Sequence, residues 1–282
     1  MGETRQFSRL AGFSVRPTER APFALRAFLV SVALFALFSL DQILHGPFYQ
    51  ADFPVDAWLT SVSARFPFIH WVGNALSWPG DAAVSFPVAF AAAAFLAWRR
   101  QWRHLGVLSG GTMLSACLTQ GFKWLFHRPL PPIFAALSPG DFGFPSGHTM
   151  GATAILGLAF LLCADALGNP MRARVQPWVF GIWTAIAFTT GVARVISQMH
   201  WVSDVLGAWS LGTAVVAVCW LAVQPAPARS PKPSPPTVAS SNPPPLRVAL
   251  PAVSLVLEVS LVRIQKSSTA RNELRKKRHF ED

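Results

Sequence analysis

Between Pro22 and Val223 this chain repeats one pattern: an apolar stretch close to a bilayer's width, then a short break of charge or proline. In hydrocarbon the backbone must satisfy its own hydrogen bonds, so ~20 apolar residues in a row read as a spanning helix. Six stretches fit, near residues 22–45, 81–98, 104–126, 147–167, 175–193 and 202–223. They predict an all-α, polytopic membrane protein, a bundle of six transmembrane helices. The first stretch is charge-free only over Ala27–Leu40. It spans if Arg26 snorkels to one interface and Asp41 sits at the other. Charged residues make up only 13% of the chain, about half the ~25% usual in soluble proteins.

Residues 46–80 are broken by Asp52, Asp56 and Arg65, yet Trp58, Leu59, Val62, Ile69, Val72 and Leu76 recur at helical spacing. With Trp58, Trp71 and Trp78 suited to an aromatic belt, this segment is expected to lie on the outer membrane face as one or two interfacial helices between spans one and two.

The net charge is +11, but it is confined to breaks and ends. Five arginines precede residue 27, ten of the 24 Lys and Arg follow residue 228, and others mark the 99–103 and 172–174 turns. Six spans bring all four groups to one side, which the positive-inside rule makes cytoplasmic. The opposite side receives Asp41, Asp52, Asp56, Asp81 and Asp141. A nucleic-acid partner is not expected, because such proteins carry their basic residues on a folded face; the expected partner is the bilayer. Both termini are then expected to be cytoplasmic, and the alanine- and arginine-rich composition suggests a bacterial inner membrane. Residues 1–21 read as a basic tail and 22–223 as the membrane domain. Residues 224–245, with nine prolines, read as an extended linker, and 246–282 as a basic tail with little order. Cys117, Cys163 and Cys219 each lie inside an apolar run and suggest neither disulfides nor a metal set.

Three clusters of ionisable residues interrupt this apolar background: Lys123 with His127 and Arg128; Pro145-Ser146-Gly147-His148; and Arg194, His200 and Asp204. Such groups at membrane depth are costly and usually functional. Each has an ordinary explanation when taken singly. His200 and Asp204, four apart at a helix start, could be a structural cap; equally, the carboxylate could hold one ring nitrogen and leave the other nucleophilic. Ser146 suits an N-cap, and Gly147 lets a ligand approach the free N–H groups of a helix start, an anion site by geometry. His148 in that first turn could give a proton to a leaving oxygen. Lys123 could merely snorkel. All three clusters fall on the same, outer side.

Together the clusters resemble the type 2 phosphatidic acid phosphatase superfamily, which includes the vanadium haloperoxidases. Its pattern is Lys-x6-Arg-Pro, Pro-Ser-Gly-His and Ser-Arg-x5-His-x3-Asp. The resemblance covers roughly residues 22–223. It implies that His200 attacks phosphorus to form a phosphohistidine, that Asp204 orients His200, and that His148 protonates the leaving group. It further implies that Lys123, Ser146, Gly147 and Arg194 hold the phosphate oxygens. Two positions depart: the first-motif arginine falls on Leu130, and the serine before Arg194 is Ala193. Arg128, two residues early on a loop stiffened by Pro129 and Pro131, is expected to stand in as a phosphate ligand.

No metal or other cofactor is expected, since the aspartates are scattered. The implied activity is hydrolysis of a lipid phosphate or diphosphate of the undecaprenyl diphosphate, phosphatidate, phosphatidylglycerol phosphate or lipid A type. The alternatives are a lipid phosphotransferase, or a catalytically weak lipid-binding pseudophosphatase favoured by Leu130. A haloperoxidase is disfavoured because those relatives are soluble.

Overall fold

The computed structural model describes residues 20–224; the expected tail over 1–21, the linker over 224–245 and the tail over 246–282 fall outside these residues, apart from the few positions at their inner edges. Every regular element among the described residues is helical. In chain order they are α1 (Arg20–Leu44), α2 (Pro47–Arg65), α3 (Phe68–Ser77), α4 (Ala82–Trp98), α5 (Trp102–Phe126), the short α6 (Pro132–Leu137), α7 (Gly147–Asp165), α8 (Met171–Ile196) and α9 (Val202–Val223).

Among the described residues, five candidate spans are long and apolar enough to cross a bilayer: Ala21–Leu44, Phe68–Trp98, Gly147–Asp165, Met171–Ile196 and Val202–Val223. The second joins α3, a tight turn at Trp78–Gly80 and α4. The expected third span coincides with α5, which has the length but not the apolarity: Ser109, Thr112, Ser115, Thr119, Gln120 and Lys123 dilute it.

Burial sorts these helices. The apolar windows of α7 and α9 are 78% and 67% buried, against 22% for α1. The former two are the central pair, and α1, α3–α5 and α8 surround them. The outer helices expose large apolar side chains such as Leu29, Phe90, Trp178 and Phe188, as a wall facing lipid would. The core around Leu158, Leu162, Trp183, Ala208 and Val215 lies between. Where α7 meets α8, one turn at Gly151–Ile155 widens to π geometry, and the Trp183 indole donates to the Thr153 carbonyl at 2.9 Å. That contact gives a carbonyl in the irregular turn a partner, as a buried backbone oxygen requires.

The two ends of the bundle differ in charge. At one end Arg99 donates to Ala166 O and Arg103 to Ala222 O, both at helix carboxyl ends, and Arg172 and His104 pair with Asp165. These contacts suit the partial negative charge there. The three motif clusters meet at the other end.

Candidate active site

α8 stops at Ile196 because Gln198 takes a left-handed backbone (φ 54°), and the N–H groups of Met199 and His200 fold back to Arg194 O. The turn is pinned from outside. Gln198 Nε2 donates to Thr60 Oγ1 (2.6 Å) and Asp56 Oδ1 (3.1 Å) on α2, and His70 Nδ1 lies 3.1 Å from Ser197 O. α9 then begins at Val202, and Asp204 in its first turn accepts the Trp201 N–H at 3.1 Å. The same oxygen lies 3.2 Å from His200 Nδ1. A carboxylate at Nδ1 holds the proton there and leaves Nε2 as a free lone pair. His200 is 4% exposed. Burial, with Arg194 and Lys123 nearby, pushes its pKa below the ordinary 6.5 in spite of Asp204, so the ring is neutral at pH 7.

The second motif is tied to the third through the backbone: Ser146 N–H donates to Asp204 O at 3.2 Å. Ser146 occupies the N-cap position of α7, as expected, but its side chain makes no cap bond; its Oγ accepts from Thr149 Oγ1 at 3.0 Å. Nothing lies within 4 Å of where a Gly147 side chain would project, so the start of α7 is open to a ligand. His148 Nε2 lies 3.1 Å from Asp81 Oδ2. His148, Arg194 and His200 are close enough for their charges to act on one another, so residues from two motifs and both histidines lie at the same end of the bundle.

Lys123, 7% exposed near the end of α5, pairs with Asp141 at 2.6 Å. Burial works against the Asp141 carboxylate, but Lys123 and the Phe142 N–H overcome it and hold its pKa below the ordinary value. Arg194 is 3% exposed and makes no ion pair among the described residues. Its guanidinium stands 5.6 Å from the Phe134 ring centre, with Asp81 and Asp141 as longer-range counter-charges. A buried cation with so little direct compensation is suited to an anionic ligand.

Arg128 is placed differently from the expectation that it binds phosphate. His127 ends α5 in a left-handed conformation (φ 46°), and the chain turns Arg128 inward to 5% exposure. Its Nη1 donates to Asp204 Oδ1 at 2.7 Å and its Nη2 to Asp52 Oδ2 at 2.6 Å, with the Tyr49 and Trp201 rings beside it. Asp52 also accepts from the Ser203 N–H and hydroxyl. The guanidinium is therefore fully engaged behind Asp204. Leu130, at the motif position itself, is buried and apolar.

Sequence reasoning missed two residues here, Asp52 and Asp81. Asp81 carried one usable signal, a good N-cap before an apolar run, and it does cap α4 through the Ala83 N–H at 2.8 Å. Nothing local marked its second contact, to a histidine 67 positions on. A cavity of about 310 Å³ opens beside this pair, lined by Asp81, Ser85, Phe86, Thr119, Gln120 and His148 among others.

Comparison with known proteins matches the stretch of chain that carries the motif residues. The family model described as the PAP2 superfamily matches residues 104–227, the stretch that holds all three motifs. Phosphatidylglycerophosphatase B of Bacillus subtilis (strain 168) is 28% identical over 185 residues, 65% of this chain and 88% of that protein. A crystal structure titled as the first transmembrane PAP2 type phosphatidylglycerolphosphate phosphatase from Bacillus subtilis has a TM-score of 0.56 at 23% identity, covering 67% of this chain and 93% of that one. The motif resemblance is thereby shown, as is the class of enzyme, a phosphatase hydrolase in a multi-pass membrane fold.

Proposed function

Starting from a membrane phosphatase of the PAP2 type, we propose that this chain removes phosphate from a lipid phosphate or diphosphate through a phosphohistidine on His200. The observation that carries this reading is the His200–Asp204 pair, with Nδ1 held at 3.2 Å and Nε2 left free, close enough to His148 and Arg194 for their charges to act on it. His200 Nε2 bonds to phosphorus as the bond to the leaving oxygen breaks. His148 supplies the proton that oxygen needs. Water then attacks the phosphohistidine, gives its proton back to His148, and inorganic phosphate leaves. Lys123, Arg194, Ser146 and the open amide at Gly147 hold the phosphate oxygens throughout. Preorganised donors of this kind carry most of the rate in phosphoryl transfer.

α5 is the sixth span in this reading, its polar face turned to the cavity beside His148 and its apolar face to lipid. α2 and α3 lie at the outer interface, and the Phe68–Trp98 candidate crosses the bilayer through α4 alone. The basic end faces the cytoplasm and the pocket opens on the periplasmic side of the inner membrane, at the depth of lipid headgroups. The Bacillus subtilis relative makes phosphatidylglycerol phosphate the first substrate to test, ahead of phosphatidate, undecaprenyl diphosphate and lipid A phosphates.

The test is phosphate release in detergent or proteoliposomes from that lipid panel, wild type against His200→Ala. Release by the wild type alone supports the reading; equal release by both rejects it. Transfer to an added lipid acceptor instead of water would make the enzyme a phosphotransferase. One observation favours a second reading, a weak or inactive lipid binder: with Leu130 buried and Arg128 engaged elsewhere, the pocket has one guanidinium fewer than the family pattern. Lipid binding without phosphate release would establish it.

A further inference from the structure

We infer that Asp81 is a positioning residue of this site, a carboxylate that aims and charges His148 for protonating the leaving oxygen. The inference rests on the phosphatase reading above. Asp81 is absent from the three motifs and comes from a different part of the chain, the turn before α4.

The contact is built by backbone, not by chance meeting of long side chains. Trp78–Gly80 forms a tight turn docked on the first turns of α7. A Cβ at Gly80 would fall 2.1 Å from His148 O, and one at Gly151 would fall 2.3 Å from Gly80 O. Only glycine at both places permits that approach. Asp81 follows directly. One oxygen is fixed by capping α4 at the Ala83 N–H, and the other faces His148 Nε2 at 3.1 Å. The Asp81 side chain therefore has little freedom to look elsewhere.

The charges around His148 give this carboxylate its task. α8 contributes Arg194, and the loop after it contributes His200. α5 contributes Lys123, already paired with Asp141, and α9 contributes Asp204, already engaged by Arg128 and His200. Asp81 is thus the carboxylate that directly offsets an imidazolium at His148. With Nε2–H turned to Asp81, Nδ1 is the atom left to serve the phosphate ester. In the first step the P–O bond breaks, the Nδ1 proton passes to the leaving oxygen, and His148 becomes neutral. In the second step Nδ1 takes a proton from water as the P–N bond breaks. Asp81 stays ionised in both, and attracts the proton back to the ring.

The test compares leaving groups. Asparagine is as good an N-cap as aspartate, so Asp81→Asn keeps α4 capped while removing the charge. On a phosphatidate, whose alcohol leaves only if protonated, kcat should fall about 10- to 100-fold, a part of the 10²–10⁴ that general acid catalysis supplies. KM should change little, and the basic limb of the pH–rate profile should move to lower pH. On p-nitrophenyl phosphate, whose leaving group needs no proton, the loss should shrink to within about threefold. Equal losses on both substrates with an unmoved basic limb would reduce Asp81 to a helix cap and overturn the inference. Failure of the phosphatase reading would look different: His200→Ala would leave phosphate release intact.

Discussion

Arg128 and His200 grip opposite oxygens of one carboxylate: Arg128 Nη1 lies 2.7 Å from Asp204 Oδ1, and His200 Nδ1 lies 3.2 Å from Oδ2. The proposed nucleophile, His200, is oriented by Asp204, and Asp204 is in turn oriented by an arginine that is itself anchored on Asp52 of α2.

Arg128→Ala should therefore damage stability as well as turnover. It leaves Asp52 and Asp204 buried with no cation between them, a change that typically costs about 3–5 kcal/mol. A lowered melting temperature in detergent, with kcat reduced and substrate KM nearly unchanged, is the expected result. A raised KM with normal stability would mean that the guanidinium touches phosphate after all.

His200→Ala should abolish turnover, with a loss on the order of 10⁴-fold or more, as removal of a covalent nucleophile commonly gives. A denaturing quench at alkaline pH of wild type with substrate labelled on its phosphate should trap base-stable, acid-labile phosphate on the protein, and the variant should trap none. Labelled protein from His200→Ala would place the nucleophile elsewhere.

Activity should persist into mild acid. Burial lowers the His200 pKa below 6.5, so the ring keeps its lone pair at pH values where an ordinary histidine is half protonated. The acid limb of kcat/KM governed by this group should fall below pH 6.5. Stability follows the same sign. Between the ordinary value and the lowered one, the unfolded chain binds a proton that the folded chain does not, so stability declines as pH falls through that window. An acid limb centred above 6.5 would contradict this environment for His200.

Gly143→Ala should impair catalysis from outside the motifs. A Cβ there would stand 2.7 Å from Asp204 Oδ2, the oxygen that serves His200. The carboxylate is held by Arg128, Trp201 N–H and His200 and has little room to yield. A shift of about 1 Å in such a group can cost ~10²-fold in rate. Steady-state kcat with thermal melting as a control would measure it; unchanged kcat would show that the loop moves instead.

Much of this arrangement was written locally in the chain. The span at 202–223 and the starts of α7 and α9 follow from apolar length, Ser146 and the His200–Asp204 spacing, each signal lying within a few residues of the element it sets. What escaped was set by distant chain segments. Asp52 looked like a charge interrupting an amphipathic segment, yet it is 2% exposed because Arg128 and Ser203 cover it from 76 and 151 positions away. The direction of Arg128 depended on the left-handed turn at His127, which no glycine announced. α5 has the length of a span without its apolarity, because Ser115, Thr119 and Gln120 line a cavity.

The glycine seam between the Trp78–Gly80 turn and α7 has a wider meaning. Since main chain meets main chain there, the spacing of acid and carboxylate is set without help from the bulky side chains of the outer wall. Substitution of Phe86, which lines the cavity beside them, should leave that spacing unchanged.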